Sequence, residues 1–214
     1  MESTTWTEVT SAEELRELLG SPSQRVAEKV RPELTELDRQ WLAVSPLCVV
    51  ATSDAQGRVD ASPKGDPAGH LVHVLDDHTV ALAERPGNRR ADGFLNVLEN
   101  PHVGLLFLVP GRGDTLRVNG RARLVREAPF FDDMAVKGKR PVLALVVEVE
   151  EVFFHCAKAF LRSGLWQPET WPAADTLPSR ARIAKALERP DTPLEELERY
   201  YGPDYARDEN LYGA

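Results

Sequence analysis

Thiols, thioethers and aromatic rings are all sparse in this 214-residue chain, which has two cysteines, two methionines and 7% Phe, Trp and Tyr. Two cysteines, Cys48 and Cys156, supply neither a disulfide framework nor a four-thiolate zinc centre, and they fit a reducing cytoplasm. Both lie among apolar neighbours and read as core. His70, His73 and His78 follow no zinc spacing, so no metal site is expected. No apolar stretch is long enough to span a bilayer, and no basic segment leads into an apolar run at the start. The sequence therefore predicts a soluble, cytoplasmic protein without a membrane partner. Positive charge is also in deficit: 26 Lys plus Arg stand against 34 Asp plus Glu, a net charge of -8 that argues against a nucleic-acid partner. Internal repeats and low-complexity segments are absent.

The length is enough to bury a core without disulfides. Residues 1–45 read as an N-terminal helical region packed on something larger. Ser11 and Thr10 are candidate caps for a first helix, Gln24 to Val30 suggests a second, and Glu33 to Ala43 a third with Leu34, Leu37, Trp41 and Leu42 on its apolar side. Residues 46–172 then change to strand periodicity. Leu47 to Ser53 and Arg58 to Ser62 flank the turn Asp54-Ala55-Gln56-Gly57, and Pro63 to Pro67 is expected to break the second strand. Leu71 to Leu75 pairs with Thr79 to Glu84, His102 to Val109 with Thr115 to Val125, and Pro141 to Phe154 is a last long strand. Six to seven strands with connections too short for parallel crossovers predict a mainly β, antiparallel split barrel with short peripheral helices. Residues 173–214 read as a C-terminal helical extension.

The stretch with most chemical content is Arg85 to Pro101, RPGNRRADGFLNVLENP, which brings Asn88, Arg89 and Arg90 to the expected start of a helix between two strands. Paired guanidinium forks next to free backbone N–H groups suit a phosphate, and a solvated arginine pair fits the same letters. Ser62-Pro63-Lys64-Gly65 offers a hydroxyl, a rigid corner, an ammonium and a glycine that permits close backbone approach, although each is also common in turns. Thr115, Arg117 and Asn119 share one face of their strand, toward a ligand or toward solvent, with Leu116, Val118 and Gly120 on the other.

Four separated motifs carry a family likeness: SPKGDPAG (Ser62 to Gly69), PGNRRADGFLNVLENP (Pro86 to Pro101), LVPGRGDTLRVNGRA (Leu108 to Ala122) and FFHCAKAFLRSGLW (Phe153 to Trp166). The chain resembles the FMN-binding split-barrel proteins related to pyridoxamine 5'-phosphate oxidase, and within them a subgroup of FMN-dependent enzymes. The resemblance implies a homodimer with FMN sites between subunits. It implies that Arg89 and Arg90 grip the FMN phosphate beside Asn88, and that Ser62, Pro63, Lys64 and Gly65 face the ring and ribityl chain. Thr115 falls near a glutamine of the oxidase, with Arg117 beside it. The oxidase's late tryptophan and substrate-phosphate arginine have no clean counterparts here, and the chain instead offers Lys158, Arg162 and Trp166 after its last long strand. That departure disfavours pyridoxamine 5'-phosphate itself as substrate.

The implied function is an FMN-dependent oxidoreductase acting on a small molecule, with no side chain singled out as catalytic. The alternatives are a module that binds flavin, haem or deazaflavin without turnover, and a structural protein whose site has decayed.

Overall fold

The computed structural model describes residues 6–213. Helices α1 (Ala12–Leu19), α2 (Gln24–Ala27) and α3 (Glu36–Val44) come first. The first two bury no side chain, and Leu18 and Leu19 of α1 are exposed. Only α3 is embedded. Thr35 and Asp38 form a reciprocal cap that sets its start three residues later than the hydrophobic pattern suggested. Leu34 is therefore a buried residue ahead of the helix, Trp41 and Leu42 face the core, and Leu37 is exposed.

This segment is tied to the sheet by its backbone as well as its side chains. Arg31 exchanges hydrogen bonds with Val152 in both directions, and Lys29 Nζ donates to the Phe154 carbonyl at 2.7 Å. Arg31 also donates to both carboxylate oxygens of Asp38, at 2.6 and 2.8 Å. Burial alone would raise the Asp38 pKa, but the Arg31 guanidinium and the Thr35 hydroxyl and N–H outweigh it and hold the carboxyl below its ordinary value.

Seven strands follow: β1 (Leu47–Ser53), β2 (Val59–Gly65), β3 (Val72–Asp76), β4 (Thr79–Ala83), β5 (His102–Leu108), β6 (Thr115–Val125) and β7 (Ala144–His155). They form one antiparallel sheet in the order β2-β1-β5-β6-β7-β4-β3, with β2 and β3 at its edges. The sheet is not closed, as a split barrel requires. Its inner face is the main core, in which Cys48, Leu105, Phe107, Leu116, Val118, Val147 and Val152 are wholly or almost wholly buried under Trp41 and Leu42. Alternation along β6 sends Leu116 and Val118 inward and leaves Arg117 and Asn119 on the outer face. Strand β4 is apolar on both sides for a different reason. Val80 and Leu82 face the barrel interior, while Ala81 and Ala83 pack with Phe131 and Met134, which cover the outside.

Two expectations need correction. Pro63 does not end β2, which runs on to Gly65 with Pro63 opposite Val49. An edge strand tolerates a residue without an N–H, because its outward row of donors has no partner to lose. Cys156 is exposed, since β7 stops at His155 and the chain leaves the sheet there, whereas Cys48 is buried and its thiol is pushed up to about 12 by that burial.

Helix α4 (Asp92–Glu99) crosses between β4 and β5, and α5 (Lys158–Ser163) follows β7. Beyond it, α6 (Arg180–Leu187) and α7 (Leu194–Tyr200) bury Ala181, Ala184 and Leu197 against each other as a small separate core. A final helix, α8 (Asp208–Tyr212), returns to the barrel, where Lys137 pairs with Asp208.

Candidate functional site

The end of β2, the loop after β4, the first turn of α4, residues 139–143 and α8 enclose a cleft of about 1140 Å³. That lies at the upper end of the roughly 300–1,000 Å³ typical of ligand sites. Ser62, Pro63, Lys64, Gly65, Asn88, Arg89 and Arg90 all line it. Two motifs separated by more than a strand pair are thus brought to one place. Their convergence depends on β2 and β4 lying near opposite edges of a curled sheet whose open side α4 spans.

The arginines do not sit in the helix. Arg89 and Ala91 both adopt left-handed backbone, with φ of 62° and 57°, and α4 begins only at Asp92. Each such residue without glycine's freedom costs roughly 1–2 kcal/mol, a strain that structures retain where the backbone has a task. Among the described residues no side chain caps α4, so the N–H groups of Asp92 and Gly93 are left for a ligand or water, while that of Phe94 donates to the Ala91 carbonyl. Asn88 Oδ1 accepts from the Arg90 N–H at 3.0 Å and shapes the loop. Arg90 Nε donates to Asp92 Oδ2 at 2.6 Å, and this bond, with the attraction of the same carboxylate, raises the Arg90 pKa. Gly93 brings α4 close to β2: a Cβ there would lie 3.1 Å from Asp60 Oδ2.

Lys64 is held by Glu84, with Nζ to Oε2 at 2.5 Å, and lies 4.7 Å from the centre of the Phe94 ring. Ser62 donates its hydroxyl to Asp60 at 2.8 Å. On the floor, Arg85 donates to Asp66 Oδ2 at 2.8 Å and to the Met134 carbonyl at 2.9 Å. The other Asp66 oxygen, Oδ1, is buried with no partner among the described residues. An orphaned carboxylate oxygen at a cleft wall is satisfied when a ligand brings a donor.

Six cationic side chains and four carboxylates line the cleft, in a chain whose net charge is -8. Among the described residues, Lys64, Arg85, Arg90 and Arg140 have carboxylate partners, whereas Arg89 and Lys139 have none. The local excess of positive charge therefore rests on Arg89 and Lys139. Lys139, Arg140, Arg85, Asp66, Phe94 and Tyr212 escaped the reading from sequence. The run Lys137-Gly138-Lys139-Arg140-Pro141 was the available signal for two of them, a basic cluster in an acidic chain.

The remaining expected site residues lie elsewhere on the chain. Thr115 is buried opposite His155, and Arg117 lies 5.4 Å from the Phe153 ring centre. Burial lowers the His155 pKa, with the charges of Arg117 and Lys29 adding to the effect. Lys158 opens α5, and its backbone N–H lowers the pKa of the exposed Cys156 thiol. Arg162 is exposed in the last turn of α5, and Trp166 donates its indole N–H to the Arg112 carbonyl at 2.7 Å. These five do not line the cleft of their own chain. Among the described residues no cluster of His, Cys, Asp and Glu is arranged to hold a metal ion.

The family model described as pyridoxamine 5'-phosphate oxidase matches residues 34–156, which take in α3, all seven strands and the arginine loop. The chain belongs to this family. No curated protein matches it. Among solved structures it is similar to HupZ from Group A Streptococcus, at 21% identity over 56% of this chain and 93% of that one, with a TM-score of 0.46. It is also similar to HutZ, the haem storage protein from Vibrio cholerae (15%, 55% and 89%, TM-score 0.39), and to a FAD-binding protein from Mesorhizobium loti (16%, 58% and 96%, TM-score 0.38). The stretch matched to the pyridoxamine 5'-phosphate oxidase family carries both site motifs, Ser62 to Gly69 and Pro86 to Pro101.

Proposed function

We propose that the protein is an FMN-dependent oxidoreductase of the pyridoxamine 5'-phosphate oxidase family, with its cofactor in this cleft and a small molecule as substrate. What supports the reading is the convergence on one cleft of Lys64, the left-handed Arg89-Arg90 loop and the uncapped start of α4. A terminal phosphate fits this donor set, because it is a dianion that takes charge-assisted bonds from guanidinium groups and from backbone N–H. The ribityl hydroxyls and the ring N–H fit Asp66 Oδ1, which has no donor among the described residues. FMN, when bound, supplies the electron transfer. The chain's own residues then have simpler tasks. Arg89, Arg90 and Lys139 bind the phosphate, Ser62 and Asp66 orient the polar chain, and Phe94 keeps water from one side. Lys64, with its charge balanced by Glu84, sets the potential felt by the ring.

The lining favours a flavin over haem, since it holds no histidine, cysteine or methionine and Tyr212 is its one residue of a type that serves as an axial ligand, whereas its cations suit a phosphate. Thr115, Arg117, Lys158, Arg162 and Trp166 enter this reading as residues of a second copy, in a homodimer whose sites lie between subunits. Purified protein should be yellow and release FMN. Replacing Arg89 and Arg90 together by alanine is expected to weaken FMN binding roughly a hundredfold while the circular dichroism spectrum is retained. Unchanged affinity in a fluorescence titration of that variant rules the placement out. Arg117→Ala tests the two-subunit site: FMN binding should weaken although Arg117 does not touch the cleft of its own chain, and sedimentation should report a dimer.

A further inference from the structure

Helix α8 lies outside the stretch matched by the family model, yet Leu211 and Tyr212 close one side of the cleft. Its residues are not there to fill a core, because none of them is buried. The Tyr212 ring is half-buried and near two cations, 5.9 Å from the Arg85 guanidinium and 5.8 Å from Lys137 Nζ. Lys137 reaches both ends of the helix, pairing with Asp208 at the first residue and facing Tyr212 at the last. Arg85 joins this ring to the cleft floor through its bond to Asp66. Cations around a ring polarise it and fix its place. The ion pair holding α8 is between half-exposed groups, a weak tether by itself. A segment held this lightly opens at low cost, as a site cover must.

We propose that α8 is a strap across the cleft and that Tyr212 is a binding residue, laying its ring against a flat heteroaromatic ligand and limiting solvent access to it. The inference rests on the flavin reading above. Phe94 supplies an aromatic surface elsewhere in the same cleft, so a planar ligand meets rings from two separate elements. The strap gives the site a wall that the barrel does not provide.

The test uses the full chain loaded with FMN and measures the emission of the bound flavin and its quenching by iodide at constant ionic strength. Tyr212→Ala should raise both several-fold, whereas Tyr212→Phe should raise emission but keep the wild-type iodide quenching, since its ring still covers the flavin while being a far poorer electron donor than tyrosine. Lys137→Asp should show a smaller rise, which the charge-swapped pair Lys137→Asp with Asp208→Lys reverses. If Tyr212→Ala keeps wild-type emission and quenching, or if Tyr212→Phe is as open to iodide as Tyr212→Ala, the assignment is overturned while the flavin site stands. A wild-type chain that takes up no FMN overturns the underlying reading, and the strap with it.

Discussion

Arg89 and Arg90 are neighbours in sequence with different electrostatic surroundings. Arg90 is tied to Asp92, and Arg89 has no carboxylate partner among the described residues. A dianion entering the cleft has to compete with Asp92 for Arg90, so the carboxylate weakens binding while it orders the free loop. Asp92→Asn should therefore tighten FMN binding, on the order of threefold by titration, by removing a like charge from the phosphate site. Looser binding in that variant would mean that Asp92 positions Arg90 more than it competes. At this scale the sequence was a partial guide. Asn88-Arg89-Arg90 and Lys64 were legible because charge beside glycine or proline stands out in an acidic chain. Asp66 and Glu84 were not, because a carboxylate's meaning depends on the cation folded against it.

Two elements have stability that turns on a single group. In β6, the register shifts between Asn119 and Gly120, and a Cβ at Gly120 would sit 1.9 Å from the Glu148 carbonyl oxygen. No rotamer relieves a clash with backbone, so Gly120→Ala should cost about 3 kcal/mol in urea unfolding. The second group is Asp38, whose side chain is fully buried against Arg31. Asp38→Asn should destabilise by about 2 kcal/mol, because the bonds to Arg31 lose their charge assistance while the partly exposed guanidinium keeps access to water. The pH dependence has a definite sign. The folded pKa lies below the ordinary 3.8, so the contribution is complete above that value and is lost as pH falls through the folded pKa. Wild type should therefore lose more stability than Asp38→Asn on acidification below about pH 4, measured by urea midpoints. Element types were legible from period, and β1 and β6 fall where the pattern put them. The start of α3 and the end of β2 were not, since a capping pair and an edge position decided them.

Across the whole molecule, the two cysteines report on opposite conditions. Cys156 is exposed with its pKa lowered, and Cys48 is buried with its own pushed up to about 12. Alkylation at neutral pH should modify Cys156 alone in the native protein and both in denaturant, as read by intact mass. Cys48 labelling under native conditions would show that the barrel opens. The cleft itself was beyond the sequence, because it is made of five segments that only the curl of the sheet gathers. Tyr212 is the clearest case, standing far along the chain from every motif around it. Pro63 has a consequence at this scale too. It denies a donor to the outer rim of β2, so a strand from another molecule cannot zip onto that rim in register. Growth of the sheet past β2 is thereby disfavoured, and that strand ends the sheet on its side instead of serving as a template for an eighth.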